Sequence, residues 1–455
     1  MIAGTVQDNF WEVGMMNKES GASRRQFLRN SSLGLAGGAV AFGGAQQAQA
    51  AEANSAAIKD VHTMTVKGPR TYVYVRVVTK DGRYGIGEAY GSPGVAVAEQ
   101  IQAIKSYLVG KNPLEIDKLF TLMGDDSIGS GQGRTDGSAH ALMRAVSGIE
   151  MALWDLAGKI LNVPVSILMG GRFRDRVRLY DHSRPRDMSD KASYREWADK
   201  VKAHPSGFTA HKIDFSRASA RPIGDNARPG AYFDPVRDPA NRQLTTREFR
   251  QIAQGLENCR EAIGWDHDIM VHCHWDYDLN TAQELARIVA PIKPLWLEDP
   301  MPVAYNDSWK RLTEQSPVTI LTGENLWKVE DFAPFLVNQA THIANPDLRN
   351  SGGFLEGKRI ADFASVFNIP MTVHGTGSQL YTYQVCQWAA TIRDFLILET
   401  VTGEGGWMDQ VVKLDGPYVK DGFVKVSDKP GSGTELNREV VSAHLAPGEK
   451  WWGDV

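Results

Sequence analysis

The sequence predicts an α/β fold, a barrel of the TIM type preceded by a smaller α+β domain. Six short apolar segments in the second half of the chain each end in a residue that can bind a metal or move a proton: His272, Glu298, Glu324, Asp347, His374 and Glu399. Neighbouring members of this set lie 23 to 27 residues apart, enough for a strand, a turn, a helix and a return. In such a barrel these strand ends converge on one face, where an active site is expected.

Each of these residues also has a simpler interpretation. A single acid after a strand is commonly a helix N-cap or a turn residue, and a single histidine there is commonly a hydrogen-bonded turn residue. The feature recurs in phase over six consecutive units, however, so coincidence explains the whole set poorly. We therefore treat the six as candidate functional residues.

The composition is that of an ordinary globular chain and argues against one class of partner. The 50 basic and 54 acidic side chains give a net charge of −4 at pH 7, which argues against nucleic acid. At 455 residues the chain is long enough for one large barrel and a smaller domain. Cys259, Cys273 and Cys386 match no zinc or redox spacing and cannot all pair, so three buried thiols are expected.

Residues 1–50 are predicted to lie outside the fold. Ser23-Arg-Arg-Gln-Phe-Leu-Arg precedes a mildly apolar run over 33–45, and Ala48-Gln-Ala offers a small-residue cleavage site. This order of regions closely resembles a twin-arginine signal peptide, which implies export of the folded protein to the periplasm. The apolar run is too short for a stable membrane span, so none is expected after signal removal. A basic tail followed by a low-complexity linker is the alternative.

Residues 58–176 are predicted to form the α+β domain. The segment 71–78 is rich in β-branched and aromatic residues, and Asp81-Gly82 is a hairpin turn signal. Helical periodicity runs from about 95 to 108 and resumes after Ser138, where apolar residues recur three and four positions apart. Three strands followed by helices are typical of an α+β domain.

Two further strands complete the barrel predicted over residues 177–400. The first covers 177–180 and the second covers 207–215. Lys212 and Asp214 are two residues apart on the second strand, so their side chains share a face. Both are therefore further candidates for the convergent site.

Three less regular segments are expected to serve the same site or complete the cap. The glycine-rich stretch 124–137 is predicted to be a surface loop. The segment 216–243 is long for a βα loop and leaves the C-terminal face, so it is expected over the active site; a disordered insertion is the alternative. Beyond the barrel, residues 401–455 contain a turn, a strand and a turn, and this segment can return to the first domain.

Six motifs give the sequence a specific resemblance to a known family. They are, in chain order, Gly85-Ile-Gly-Glu-Ala-Tyr, Ile149-Glu-Met-Ala-Leu-Trp-Asp-Leu-Ala-Gly-Lys, Leu297-Glu-Asp-Pro, Thr322-Gly-Glu-Asn, Asn345-Pro-Asp and Met371-Thr-Val-His. Their order and spacing resemble the enolase superfamily, in the mandelate racemase/muconate lactonizing enzyme-like branch that contains acid-sugar dehydratases. The resemblance covers residues 58–440 and implies a modified (β/α)7β barrel with a capping domain built from both chain ends.

The resemblance implies a divalent metal held at three strand ends. The matching positions here are His272, Glu298 and Glu324. The first position is normally an aspartate, so His272 departs from the family pattern. Magnesium is the first expectation, with manganese, iron(II) or zinc as alternatives, because hard cations take imidazole poorly.

The resemblance also assigns roles in removing a proton α to a carboxylate. His374 and Asp347 match the family's His–Asp dyad, which makes His374 the base and Asp347 the group that orients it. His274 resembles the acid that protonates the departing hydroxide in dehydratases, with a hydrogen-bonding donor as the alternative. Lys212 and Glu399 match groups near the substrate carboxylate, where a protonated Glu399 could donate a hydrogen bond.

The residues favour dehydration over other reactions of the superfamily. Asp214 stands where racemases carry a second lysine, so no base is evident on the opposite face of the α-carbon. We expect a sugar-acid dehydratase that gives a 2-keto-3-deoxy acid, acting as a homo-oligomer. Alternatives are a racemase, an epimerase or a cycloisomerase that recruits Tyr232 as a base, or a non-catalytic binding relative. Asp214, Tyr232 and Tyr90 are candidate substrate contacts.

Overall fold

The computed structural model describes residues 56–91, 96–126, 138–215, 242–401 and 406–452. The predicted signal peptide at 1–50, Tyr232, and most of the two segments 124–137 and 216–243 lie outside the described residues. Among the described residues, no helix has the length and apolar character needed to cross a bilayer.

The described chain opens with a three-stranded antiparallel sheet in the order β1-β2-β3. The strands are β1 (Ile58–Lys67), β2 (Thr71–Thr79) and β3 (Tyr84–Ala89). The hairpin between β2 and β3 turns at Asp81-Gly82, as the sequence predicts. Gly82 has a φ of 86°, which a side chain would strain.

Four α-helices follow this sheet among the described residues of the first domain. They are α1 (Val97–Ile104), α2 (Ile116–Thr121), α3 (Ser138–Leu161) and α4 (Val165–Leu168). The long helix α3 packs closely on β3, because Gly85 and Gly87 face it without side chains. A Cβ at these positions would lie 2.1 Å from the backbone oxygen of Ala152 and 2.4 Å from that of Gly148. Two glycines in the Gly-Ile-Gly-Glu motif thus permit the contact between sheet and helix.

Eight parallel strands form the second part of the molecule and close into a barrel. They are β4 (Arg176–His182), β5 (Ala210–Asp214), β6 (Asp268–His272), β7 (Leu297–Glu298), β8 (Ile320–Thr322), β9 (Ile343–Ala344), β10 (Met371–Val373) and β11 (Phe395–Thr400). Each strand pairs with the next, and β11 pairs back with β4 in parallel at Leu398 and Leu179. Seven crossovers and a final strand confirm the predicted (β/α)7β barrel.

Helices on the crossovers surround the barrel. They are α5 (Lys191–Lys202), α6 (Thr246–Ile263), α7 (Leu279–Val289), α8 (Asp307–Gln315), α9 (Lys328–Val337), α10 (Leu348–Ser351), α11 (Gly353–Val366) and α12 (Gln379–Ala389). Alternating strand residues supply a large apolar layer under these helices and a smaller cluster inside the barrel, which includes Tyr180, Met270 and Trp296. Cys259, Cys273 and Cys386 are free and buried, as predicted.

The C-terminal residues return to both parts of the molecule. Strand β12 (Phe423–Lys425) pairs antiparallel with β4, and α13 (Arg438–Ser442) follows it. Met408, Val412 and Leu436 pack in one cluster with apolar residues of the N-terminal sheet. This packing agrees with a cap built from both chain ends, whereas the residue boundaries at 176 and 400 stay predictions.

Candidate active site

The candidate site lies where the barrel strands end, because their registers place functional residues side by side. Asp214 is paired with His272 across β5 and β6, and His272 is paired with Glu298 across β6 and β7. Two positions earlier along the chain lie Lys212, Met270 and Trp296, of which Met270 and Trp296 belong to the apolar cluster inside the barrel. The polar side chains therefore sit at the C-terminal face, directly above an apolar barrel interior.

A buried cluster of three carboxylates and one imidazole occupies this face. His272, Glu298, Asp299 and Glu324 each offer a ligand atom, and these atoms all lie within 4.8 Å of one another. His272 Nε2 is 3.5 Å from Asp299 Oδ2 and 4.0 Å from Glu324 Oε2. Ligands bound about 2.1 Å from one ion are separated by such distances.

The chemistry of these donors fits a divalent cation. Both ring nitrogens of His272, Asp299 Oδ2 and Glu324 Oε2 are buried and have no hydrogen-bond partner among the described residues. Burial, followed by repulsion from Glu298, raises the pKa of Asp299 to about 7. Burial also raises the pKa of Glu324 well above its usual value. A dication at this point favours the charged carboxylates and satisfies the unpaired atoms.

Asp299 was missed by the sequence analysis, although it belongs to the Leu-Glu-Asp-Pro motif. Strict alternation along a strand would turn Asp299 away from the face that carries Glu298. Instead Asp299 has a φ of 46°, which ends the alternation and leaves its buried carboxylate beside His272. The position of Asp299 depends on a positive φ at a residue other than glycine, and the sequence does not show that conformation.

The predicted dyad is formed. His374 Nδ1 lies 2.7 Å from Asp347 Oδ2, and both side chains are buried. His374 Nε2 points the other way, 3.4 Å from Glu324 Oε2 and 3.6 Å from Glu399 Oε2. Asp347 therefore holds one nitrogen, while the other faces the cluster. The ionised Asp347 favours the tautomer with its proton on Nδ1, which leaves a lone pair on Nε2.

Arg349 anchors this dyad to the capping sheet and was not predicted. Its Nη2 is 2.7 Å from Asp347 Oδ2, and its Nη1 is 3.0 Å from Glu88 Oε1 on β3. Burial acts to raise the pKa of Asp347, but the charge of Arg349 and the hydrogen bond from His374 outweigh it, so that pKa lies well below its usual value. Glu88 also accepts a hydrogen bond from the backbone of Ser378.

We expect Arg349→Met to lower the free energy of unfolding by about 3–5 kcal/mol, because it leaves two buried carboxylates without their cation. Urea unfolding followed by fluorescence would measure the loss. Arg287→Met is the matched control, since Arg287 pairs with Glu284 on the surface and should cost less than about 1 kcal/mol. Equal losses in the two variants would contradict a structural role for the buried arginine.

The carboxylate of Asp214 lies between the rings of two histidines. Its Oδ1 is 3.0 Å from His274 Nε2, and its Oδ2 is 3.1 Å from His182 Nε2. Burial acts to raise the pKa of Asp214, but these two hydrogen bonds outweigh it and hold the pKa well below its usual value. Burial lowers the pKa of His274, yet the bond to Asp214 dominates and leaves it above its usual value. The contact with Asp214 thus favours the protonated form of His274.

His182 was missed because the predicted first strand ended at residue 180. The structure continues β4 to His182, so this residue takes the same strand-end position as the other candidates. His182 Nδ1 lies 3.5 Å from Glu399 Oε1, while its Nε2 contacts Asp214. His182 therefore bridges two acids of the site.

The expected protonated form of Glu399 is wrong. Lys212 Nζ lies 2.6 Å from Glu399 Oε1 and 3.2 Å from Glu298 Oε1, with all three side chains buried. Burial acts to raise the pKa of Glu399, but the charge of Lys212 outweighs it and lowers that pKa to about 2. An ionised Glu399 accepts hydrogen bonds, here from the backbone of Gly375 at 3.1 Å, and cannot donate one.

Tyr90 lies beside the dyad. The Arg349 guanidinium is 4.5 Å from the centre of the Tyr90 ring, and Arg144 is 4.7 Å from it. Burial, followed by the charge of Asp347, raises the pKa of Tyr90. The tyrosine is thus close enough to the site to remain a candidate substrate contact.

Comparison with known proteins decides the family. The model described as "Enolase C-terminal domain-like" matches residues 194–440, and the model "Mandelate racemase / muconate lactonizing enzyme, N-terminal domain" matches residues 49–170. The chain belongs to the enolase superfamily. Superfamily members bind a divalent metal, and the cluster of His272 and three carboxylates supplies donors for one.

Individual relatives place the chain within the superfamily. A D-xylonate dehydratase of Haloferax volcanii is 34% identical over 394 residues, covering 87% of this chain and 90% of the relative. A D-gluconate dehydratase of Thermoproteus tenax is 27% identical and covers 82% and 70%. The crystal structure of a mandelate racemase/muconate lactonizing enzyme-like protein from Rubrobacter xylanophilus has a TM-score of 0.78 and 29% identity, covering 88% and 100%.

These matches agree with the resemblance drawn from the six motifs. The chain lies in the mandelate racemase-like branch that contains acid-sugar dehydratases, and it is an enzyme of the hydro-lyase class.

Proposed function

We propose that this enzyme dehydrates a sugar acid, an aldonate or an aldarate, to a 2-keto-3-deoxy acid. The observation that carries the proposal is the placing of two histidines around one cluster. His374 contacts Glu324 and Glu399, whereas His274 contacts Asp214 and stacks on His272 with ring centres 3.8 Å apart. The contacts of His374 suit a base and those of His274 suit an acid. Dehydration needs one base and one acid.

His374 would take the proton α to the substrate carboxylate at Nε2. Asp347 keeps the other nitrogen protonated and stabilises the imidazolium that forms. A divalent cation held by His272, Glu298 and Glu324, with Asp299 beside them, would supply electrostatic stabilisation of the negative charge that develops. Lys212 lies against Glu298 and Glu399 and adds a fixed positive charge.

His274 would then give its proton to the departing β-hydroxyl, which leaves as water. The C–O bond breaks as the carbon–carbon double bond forms, and the resulting enol becomes the 2-keto-3-deoxy acid. Asp214 takes up the hydrogen bond of His274 in either protonation state. The residues proposed for proton abstraction and hydroxide loss thus follow different strands, β10 for His374 and β6 for His274.

The choice of sugar acid as substrate is supported by the relatives. The two dehydratases matched above are named for D-xylonate and D-gluconate, both of which are aldonates. Racemisation requires a second base on the opposite face of the α-carbon. The position expected for it carries Asp214, which is bound to two histidines and so is poorly suited to take a carbon-bound proton.

The identity of the metal is a separate proposal. One imidazole with three carboxylates suits manganese, iron(II) or zinc as well as magnesium, because imidazole is a softer ligand than oxygen. Replacing His272 with Asp should shift the preference toward magnesium. An unchanged order of affinities in that variant would mean that His272 is not a ligand.

We expect His274→Asn to lose 2-keto acid formation by about 10²–10⁴-fold while it still exchanges the α-proton with solvent. D-Xylonate and D-gluconate would be incubated with the enzyme in D₂O, with keto acid measured chemically and exchange measured by NMR. His62→Asn, on the surface of β1, is the control and should keep both activities. Loss of exchange with retained elimination, or formation of an epimer, would reject the assignment.

We also propose that the protein is exported to the periplasm through the twin-arginine pathway, on the strength of residues 23–50. Replacing Arg24 and Arg25 together with Lys should retain the protein in the cytoplasm, as measured by cell fractionation and immunoblotting. Lys18→Arg, outside the motif, is the control and should leave export unchanged. Export of the double variant at the normal level would reject the signal.

A further inference from the structure

His272 presents two buried nitrogens to two different surroundings. Its Nδ1 is 3.6 Å from Asp214 Oδ1, and its Nε2 is 3.5 Å from Asp299 Oδ2. Neither nitrogen has a hydrogen-bond partner among the described residues, although the ring is buried. A neutral imidazole has one N–H to donate and one lone pair to share, so each nitrogen requires a different partner.

The surroundings decide which nitrogen takes which partner. Three carboxylates, those of Glu298, Asp299 and Glu324, gather with Nε2 into one group of possible ligands. On the Nδ1 side there is one carboxylate, Asp214, which already accepts from two other histidines. A cation among those carboxylates would require the lone pair on Nε2, which faces Asp299 and Glu324. The N–H would then be on Nδ1, toward Asp214.

We propose that Asp214 is the positioning residue of His272. Asp214 would accept the Nδ1 proton, and His272 would then bind the cation through Nε2 as a neutral ligand in a fixed orientation. This inference rests on the proposed metal site and deepens it. A carboxylate that holds the second nitrogen of a ligand histidine fixes the tautomer and increases the basicity of the metal-binding nitrogen.

The pairing of strands β5 and β6 and the neighbouring histidines keep the Asp214 carboxylate beside His272. Asp214 and His272 are register partners on the neighbouring parallel strands β5 and β6, so their side chains leave the same face next to each other. His182 and His274 hold the two carboxylate oxygens from either side. The ring of His272 is further confined by His274, whose ring centre lies 3.8 Å away. Asp214 thus has little freedom to turn from His272.

An alternative use of the same atoms is a second cation bound by Asp214, His272 and His274, whose ligand atoms also lie within 4.8 Å of one another. A cation there would have to displace the proton with which the nitrogen of His182 or His274 now contacts Asp214. The two possibilities differ in the number of ions bound, which makes them separable by measurement.

The test is the affinity for Mn²⁺, measured on the full chain after treatment with a chelator. Free Mn²⁺ would be followed by EPR during titration. We expect one Mn²⁺ per chain in the unsubstituted protein and a 10- to 100-fold higher Kd in Asp214→Asn, the loss typical of removing such a partner. This readout does not involve sugar-acid turnover, so it stands apart from the test of dehydration.

A double-mutant cycle separates positioning from a general structural effect. Because Asp214 acts through the imidazole, Asp214→Asn should change the Kd by less than about 3-fold when His272 is already replaced with Asp. Thermal unfolding of all four proteins would show that the comparison is between folded chains. His182→Asn removes a neighbour of Asp214 without removing the carboxylate, and should raise the Kd less than Asp214→Asn does.

Three results would overturn the inference while leaving the metal site in place. The first is an unchanged Kd in Asp214→Asn, and the second is the same loss in both His272 backgrounds. The third is two Mn²⁺ per chain with one lost in Asp214→Asn, which would make Asp214 a direct ligand of a second ion. Absence of any Mn²⁺ binding by the unsubstituted protein would overturn the metal site itself and this inference with it.

Discussion

His374→Asn should lower kcat for 2-keto acid formation by about 10²–10⁴-fold, the usual contribution of a general base. Asparagine keeps much of the size and polarity of the imidazole but cannot accept a proton at neutral pH. His374 Nε2 faces Glu324 and Glu399, whereas its Nδ1 is held by Asp347 at 2.7 Å, so the substitution removes the base without removing a carboxylate. The measurement is steady-state turnover together with α-proton exchange in D₂O.

Both turnover and exchange should fall together in His374→Asn, in contrast to His274→Asn. Metal content should stay near that of the unsubstituted protein, because His374 is not among the grouped ligands. Asp347→Asn is the companion variant, and it should be impaired through the tautomer and basicity of His374 rather than through metal loss. Retained exchange in His374→Asn, with exchange lost in His274→Asn, would reverse the two roles.

The barrel and most of its site were predictable because they repeat. Six strand-end residues at nearly constant spacing indicate the βα unit, and the structure brings all six to one face. His374 and Asp347 are 27 residues apart yet lie in contact, because each follows one of two adjacent parallel strands. A periodic pattern predicts such contacts whenever the register of neighbouring strands is regular.

The residues that were missed depend on features without a period. His182 required the correct end of β4, and strand ends are the least certain part of any sequence interpretation. Predicting that Asp299 belongs to the site required knowing that its φ is positive. Arg349 joins Asp347 to Glu88, which is 261 residues distant, so no local pattern connects the pair. The charge of Glu399 required knowing that Lys212 lies 2.6 Å away.

Two departures from the family pattern were visible in the sequence, but their connection was not. His272 stands where the family normally has an aspartate and Asp214 stands where racemases have a second lysine, and the sequence does not connect the two. The structure places the two side chains 3.6 Å apart. If His272 is a ligand as proposed, the carboxylate of Asp214 behind it would supply the negative charge that an imidazole lacks in place of an aspartate.

Glu298→Gln should abolish turnover and most of the binding of divalent metal. The carboxylate of Glu298 lies at the centre of the site, where it accepts from Lys212 at 3.2 Å, Trp296 at 2.8 Å and Asn345 at 3.3 Å. An amide of the same size removes one negative charge from the group of ligands and turns one acceptor into a donor beside the positively charged Lys212. Metal content after dialysis and turnover with D-xylonate and D-gluconate would measure the two losses.

Glu150→Gln is the matched control for this prediction. Glu150 is also fully buried, on α3, and burial raises its pKa to about 8, so that at neutral pH the substitution changes little charge. The control should keep its metal and its activity, because Glu150 accepts from the backbone of Phe354 rather than facing the cluster. Full metal occupancy in Glu298→Gln, or full activity in thoroughly metal-free protein, would contradict the proposed site. A loss confined to Glu298→Gln would show that the effect arises from this carboxylate and not from the burial of any glutamate.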